Sequence, residues 1–304
     1  MTDSLRAAPA ASWRDWLALT KPKVISLLLF TSIAAMCMAA RGLPEWLPLA
    51  GVLLGGAMCS GGAGVFNMVL ERDIDARMKR TAGRPLVTGV ISLRQAIGFG
   101  SALSVGALLI LWLFANPLTA LIGLGGLAFY VLVYTLWLKR RTWQNIVIGG
   151  AAGAMPPLLG WAAVTGDLSP LAWALFALVF MWTPVHFWSL AFLVRDQYAA
   201  VGVPMAPAVL GTQRTLRQML FYALLTVLSS LLPLALGEAG RLYGIALIAL
   251  NLPLLLRILN LLRKTGPAED VARADALGLY KFSMLYLALV FLALVLDRSL
   301  PLPL

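Results

Sequence analysis

Apolar runs of about 17–24 residues, the length that crosses a bilayer as a helix, recur near positions 24–40, 47–70, 96–115, 118–137, 144–164, 169–190, 216–236, 242–261 and 277–296. A chain in hydrocarbon must satisfy each backbone N–H and C=O internally, which leaves only helices and closed barrels. Runs this long are helices. The apolar fraction is 61% and the charged fraction 12%, against about 45–50% and about 25% in a soluble domain. The expected fold is an all-α polytopic membrane protein of about nine transmembrane helices, a single integral-membrane domain over 1–304. Residues 1–20 are polar, mixed in charge and lack the apolar core of a signal peptide, so the first run is expected to remain as an anchor.

The net charge of +11 would suggest nucleic acid in a soluble protein, but here its placement speaks for topology and no nucleic-acid partner is expected. The connections alternate between long and basic, and short and nearly neutral. All of the 24 Lys and Arg residues except Arg41, Arg241 and Arg298 fall on one side. By the positive-inside rule the amino terminus, including 1–20, is cytoplasmic and the carboxyl terminus outside. An odd number of spans requires the same. Cys37 and Cys59 lie in apolar runs without metal-ligand spacing and read as small buried hydrophobes.

Chemistry concentrates directly after the second run, in Asn67 to Pro85. These 19 residues hold three of the 13 acids (Glu71, Asp73, Asp75) and five basic residues. Ionisable groups at a membrane boundary are costly and mark function by default. Asn67, Glu71 and Asp75 recur at i, i+4, i+8, so one helix would stack them about 40° apart per step. Stacked oxygen ligands suit a hard cation, and Mg²⁺ uses one or two carboxylates plus substrate phosphate oxygens. The arginines and lysine that follow suit the rest of a polyphosphate. A salt-bridged helix end would account for the basic residues, but not for Asn67 and Glu71 at the inner end of an apolar helix. Asp73, about 200° around the helix from Glu71, is expected to pair with a neighbouring cation.

Two further segments stand out. Lys139-Arg140-Arg141 precedes a helix rich in Gly and Ala with Pro156 and Pro157 at its middle. Small residues permit close packing, broken helices are tolerated beside cavities, and Asn145 is placed to face the same cavity. His186, the only histidine, lies among Trp182, Phe187 and Trp188, a setting that suits a flat ring ligand as well as ordinary packing. A weak internal repeat aligns Leu70–Asp75 with Leu193–Tyr198, six positions with three identities, and suggests two facing loops over one cavity. In the second copy Val194 replaces Glu71 and Tyr198 replaces Asp75.

These residues resemble the UbiA superfamily of intramembrane prenyltransferases, and within it the protohaem IX farnesyltransferase (haem O synthase) branch. The family's first motif matches Asn67, Glu71, Asp75, Arg84 and Pro85. Signatures of the haem branch are similar to Thr20-Lys21-Pro22-Lys23, Tyr134 to Thr142, Asn145 to Gly160, His186-Phe187-Trp188, and Tyr198 with Gly202-Val203-Pro204-Met205. The likeness runs from about residue 16 to 215. Glu71 stands where Asp is commoner, and Val185 where the family usually has Pro. The second aspartate pair of the quinone branch is absent.

The resemblance implies a nine-helix bundle around a central cavity, in the bacterial cytoplasmic (inner) membrane with its active site toward the cytoplasmic face. It implies transfer of the farnesyl group of farnesyl diphosphate to a vinyl group of haem b, with water, giving haem O for haem A/O biosynthesis and terminal oxidases. Mg²⁺ is the implied cofactor, held by Asn67, Glu71 and Asp75 with Asp196 as a further ligand. Arg77, Lys79, Arg80, Arg84, Lys139, Arg140, Arg141 and Arg195 are the candidate diphosphate donors, with Arg80 and Arg84 counted beside Asn67, Glu71 and Asp75 as catalytic. Trp182, His186, Phe187, Trp188 and Tyr198 are the candidate haem contacts, and Trp161 joins the aromatics expected to shield cations. Membrane lipid and a handoff to haem A synthase or a terminal oxidase complete the implied partners. The alternatives are a prenyltransferase for an aromatic quinone precursor and, from another class, a membrane transporter.

Overall fold

The computed structural model describes residues 11–266 and 269–300. Residues 1–10, half of the expected N-terminal segment, lie outside the described residues. The first element is a short amphipathic helix, α1 (Trp13–Thr20), with Trp16 and Leu19 turned inward and Trp13 and Leu17 outward. Among the described residues nine helices are long and apolar enough to cross a membrane. They are α2 (Pro22–Ala40), α3 (Trp46–Leu70), α6 (Leu93–Phe114), α7 (Pro117–Ala128) with its continuation to Leu138, α8 (Asn145–Thr165), α9 (Pro170–Leu193), α12 (Thr212–Ala235), α13 (Arg241–Lys264) and α14 (Arg273–Ser299). Short helices α4 (Arg72–Arg77), α5 (Pro85–Thr88), α10 (Arg195–Ala200) and α11 (Ala206–Val209) fill two of the basic connections.

The helix starts carry their signals. Ser92 and Gln95 form a capping box before α6, and the side chains of Asn116 and Ser169 cap α7 and α9. The outer surface is apolar, with Leu109, Leu113, Leu132, Ile245, Ile248 and Leu252 all exposed, as contact with lipid requires. Without a hydrophobic drive between helices in lipid, close approach of backbones does the packing. A Cβ on Gly160 of α8 would lie 2.0 Å from the Ser32 carbonyl of α2, and one on Gly55 of α3 would lie 2.7 Å from Leu111 of α6. Asn251, within the eighth span, belongs to a buried chain in which Tyr286 donates to its Oδ1 at 2.7 Å and its Nδ2 donates to Ser230 at 3.1 Å. That chain ties α12, α13 and α14 together.

Three local features depart from a simple helix count. After Ala128 the fourth span widens into a π-helix over Phe129–Leu138, a winding that is rare and favours functional sites. The helix α8 runs unbroken through Pro156 and Pro157. The prolines remove the donors for the carbonyls of Ala152 and Gly153, and those two residues lie on a cavity wall. Finally, the weak repeat is a repeat of backbone: α3 stops at Leu70, Glu71 departs from helical geometry, and six-residue α4 follows, just as Val194 separates α9 from six-residue α10. The three oxygen ligands therefore do not share one continuous helix.

Polar contacts gather at the two ends of the bundle. At one end lie the connections carrying Lys21, Asn67 to Arg84, Lys139 to Arg141, Arg195 and Asp270. At the other, Arg298 donates to the Met38 carbonyl at 3.0 Å and to the Glu238 carbonyl at 2.9 Å, and pairs with the Glu238 carboxylate.

Candidate active site

A cavity of about 420 Å³ opens at the basic end, within the range of small-molecule sites. Its mouth is lined by Lys21, Asn67, Glu71, Asp75, Arg80, Arg84, Lys139 and Tyr198, and its interior by apolar and small residues of α2, α3, α7, α8 and α9. The expected oxygen ligands are brought together there although the helix breaks. Asn67 closes α3, Glu71 fills the break, and the Asp75 amide bonds back to the Glu71 carbonyl at 2.8 Å, returning Asp75 to the same wall. All three are at most 3% exposed.

Each of the three faces a cation. Lys139 pairs with Glu71, Arg84 with Asp75, and the Lys21 ammonium donates to the Asn67 amide oxygen. The Asn67 amide donates in turn to Thr135 Oγ1 at 3.0 Å, and Thr135 donates to the Tyr130 carbonyl at 2.9 Å, five residues back as the π winding permits. Lys21 is left-handed at φ 59, ending α1 and starting α2 so that its side chain enters the cavity. Its pKa is pushed down to about 7, chiefly by burial, with Glu71 opposing and Lys139 and Arg84 adding to the effect. Above the pairs, the rings of Tyr130 and Tyr134 lie 5.4 Å apart, with the Lys21 ammonium 6.0 Å from the first ring centre and the Lys139 ammonium 5.8 Å from the second.

Other expected site residues lie elsewhere. Arg80 is exposed yet lines the mouth, whereas Arg77, Lys79 and Arg141 are exposed and off the cavity wall. Arg140 grips Asp73 through two bonds of 2.7 and 2.8 Å on the outer face, which holds Asp73 below the usual carboxylate range. That is the pairing expected of Asp73, and it removes Arg140 from the cavity. Arg195 pairs with Asp270 in the loop before α14, and Asp196 is exposed and off the wall. The second loop turns its Tyr198, not its acid, inward. Asn145 is buried but donates to the Thr142 and Pro204 carbonyls instead of facing the cavity.

The aromatic set also divides. Phe187 and Tyr198 line the cavity, while Trp188 packs between Trp143 and Tyr222 and Trp161 lies under Arg298 at the far end. Trp182 donates to the Ser283 carbonyl at 2.8 Å and stacks on His186 at 4.3 Å. His186 and Trp182 are off the cavity wall, one turn and one position behind Phe187's face, with Tyr280 stacked 4.8 Å away on His186. The Ser283 hydroxyl lies 2.7 Å from the Tyr280 carbonyl and 2.9 Å from His186 Nδ1, bridging the two. Residues with no expected role that the cavity recruits are Lys21, Tyr130 and Tyr134. The signal for Lys21 and Tyr134 lay in Thr20-Lys21-Pro22-Lys23 and Tyr134-Thr135, while Tyr130 lies outside both motifs.

The model of the UbiA prenyltransferase family matches residues 28–285. The chain belongs to that family. The Protoheme IX farnesyltransferase of Thermus thermophilus is 58% identical over 294 residues, which are 97% of this chain and 47% of that protein, so the chain spans about half the length of that relative. The protein of the same name from Deinococcus radiodurans is 50% identical over 306 residues, covering 98% of this chain and 97% of its own. A solved UbiA homolog from Archaeoglobus fulgidus bound to DMAPP and Mg²⁺ superposes with a TM-score of 0.66 at 19% identity, over 92% of this chain and 99% of that one. At that identity the likeness is one of fold.

Proposed function

We propose that this UbiA-family protein transfers the farnesyl group of farnesyl diphosphate to a vinyl group of haem b, with addition of water, giving haem O and diphosphate. The observation that carries the reading is the ring of buried donors and cations, Asn67–Lys21, Glu71–Lys139 and Asp75–Arg84, across the mouth of an apolar cavity. Names of relatives from Thermus and Deinococcus support the choice of substrates.

Among the described residues no cluster of three His, Cys, Asp or Glu side chains is found, so there is no all-protein metal cage. The donor set fits Mg²⁺ nonetheless, because that ion takes one or two carboxylates and completes its shell with substrate phosphate and water. Asn67, Glu71 and Asp75 would hold it, and the Mg²⁺-bound structure of the Archaeoglobus homolog supports the choice. When bound, Mg²⁺ supplies Lewis acidity that neutralises a departing diphosphate. Lys21, Lys139 and Arg84, relieved of their carboxylate and amide partners, turn to the phosphate oxygens together with Arg80, where charge develops.

The C1–O bond of the prenyl diphosphate breaks with its electron pair leaving on diphosphate, and the vinyl π pair forms the new bond to C1. The cation left beside the porphyrin takes water and loses a proton. Tyr130, Tyr134, Phe187 and Tyr198 line the cavity, and their rings would stabilise these cations. His186, bonded through Nδ1 to Ser283, is the haem-side candidate and would reach iron through Nε2. The active site faces the cytoplasm, the amino terminus is cytoplasmic and the bundle sits in the inner membrane, with product passing to haem A synthase or a terminal oxidase. A quinone-precursor reading lacks its second acid pair, and a transporter reading lacks acids at the midplane.

Anaerobic incubation of the purified protein with haem b, farnesyl diphosphate and Mg²⁺, followed by mass spectrometry, tests the proposal. The expected product is haem b plus one farnesyl group and one hydroxyl group. Unchanged haem b, with protein that still binds both substrates, would overturn it.

A further inference from the structure

The transfer ends with a water in an otherwise apolar cavity, and α8 offers acceptors for one. In an α-helix the carbonyl of residue i accepts from the N–H of residue i+4. Pro156 and Pro157 have no N–H, so the carbonyls of Ala152 and Gly153 lose that partner. The tandem removes a substitute as well, because the i+5 position for Ala152 and the i+3 position for Gly153 are also prolines. The side chains that donate to carbonyls of α8, Asn116 and Thr165, serve Ala162 and Trp161 instead. Carbonyls inside a folded chain are almost always paired, so two adjacent orphans on a cavity wall call for a ligand.

Their surroundings leave room for one. Ala152 and Gly153 are half-buried and both line the cavity. The wall beside them is bare backbone at Gly149, Gly150 and Gly153, and a Cβ on Gly153 would meet nothing within 4 Å. The Tyr134 ring covers Gly149, where a Cβ would lie 2.3 Å from it, and the neighbouring Thr135 bonds Asn67, so Gly149 lies level with the mouth. Gly153 is four residues further in, about 6 Å.

We propose that the Ala152 and Gly153 carbonyls hold the water that quenches the reaction. A site made only of acceptors takes both water hydrogens and turns the oxygen lone pairs toward the lumen, the orientation that attack on a cation requires. Once the new C–C bond has formed, the positive charge sits on the vinyl carbon joined to the porphyrin, two bonds from the former C1. A lone pair of the held water forms the C–O bond to that carbon. The proton shed by the resulting oxonium passes to the diphosphate released at the mouth, while the carbonyl dipoles stabilise the charge on oxygen as it develops. Without a held water, the same cation loses a proton from the adjacent carbon. The C–H pair then becomes a C=C bond, and the product is an alkene one water lighter. The assignment rests on the haem farnesylation reading, and it adds which backbone atoms decide between alcohol and alkene.

The test uses full-length protein in nanodiscs, incubated anaerobically with haem b, farnesyl diphosphate and Mg²⁺. Mass spectrometry resolves the hydroxylated and dehydrated farnesyl haems. Pro156→Ala returns an N–H to the Ala152 carbonyl, and Pro157→Ala returns one to the Gly153 carbonyl; each repairs the helix. Each should raise the dehydrated-to-hydroxylated ratio about tenfold, the scale of one hydrogen bond to the attacking water, with farnesyl thiodiphosphate binding retained. Such a ratio does not depend on how much of the protein folds. Pro253→Ala, which repairs α13 away from the cavity, should leave it at the wild-type value. A ratio unchanged in both Pro156→Ala and Pro157→Ala, or raised equally by Pro253→Ala, would overturn the water site and leave farnesyl transfer standing. A wild type that binds both substrates and forms neither product would sink the haem reading, and this water with it.

Discussion

Glu71 and Asp75 are buried acids whose partners come from different segments, Lys139 from the end of the fourth span and Arg84 from the loop after α4. Breaking a buried pair from one side costs about 3–5 kcal/mol because the remaining charge is stranded, so each pair is also a structural contact. Glu71→Ala and Asp75→Ala should each abolish turnover, with the metal-held stabilisation of the leaving group worth several kcal/mol. Near-normal rates of both variants under limiting Mg²⁺ would remove these residues from the metal site. His186 tests the haem side. If its Nε2 ligates iron, His186→Ala should shift the Soret band of bound haem and lower turnover while thiodiphosphate binding persists. An unchanged spectrum with normal turnover would return His186 to the aromatic stack between Trp182 and Tyr280.

At the scale of elements, α2 and α8 are held together by proximity of backbone, not by large side chains. The Gly160 position leaves 2.0 Å between a Cβ and the Ser32 carbonyl, and an atom there would force the helices apart. Gly160→Ala should therefore lower the thermal midpoint in detergent, with overpacking of this kind costing about 1–3 kcal/mol or more. Gly98→Ala, where a Cβ meets nothing within 4 Å, should leave it unchanged or slightly raised. Equal midpoints for the two variants would deny the close crossing its role. Since Lys21 caps α2 and α8 carries Gly149 and Gly153, loosening that crossing should also widen the cavity.

For the whole molecule, the alternation of helices puts Lys21, the carboxylates and Lys139 at one end and the Arg298–Glu238 clasp at the other. Single cysteines in a background lacking Cys37 and Cys59 read which end faces which compartment. With an impermeant maleimide, Glu45→Cys should label in intact cells and Ala82→Cys only after permeabilisation, both positions being exposed. The opposite pattern would invert the topology and place the site outside.

Long apolar runs, their basic and neutral connections and the spacing of Asn67, Glu71 and Asp75 are local properties, and one-dimensional patterns report them. The nine spans were legible for that reason, their ends to within four residues, as was the pairing of Asp73 away from the site. Tertiary structure decided which cation meets which acid, because Lys21, Arg84 and Lys139 reach the cavity from segments whose mutual placement depends on packing. It decided that Arg195 turns to Asp270 and Arg140 to Asp73, since identical guanidinium groups carry no mark of their partner. It also placed the helix break at Glu71, the π winding that brings Tyr130 and Tyr134 over the pairs, and the depth of the cavity. Cys59, Gly123 and Leu159 meet on its inner wall from three helices, and no single segment contains that meeting.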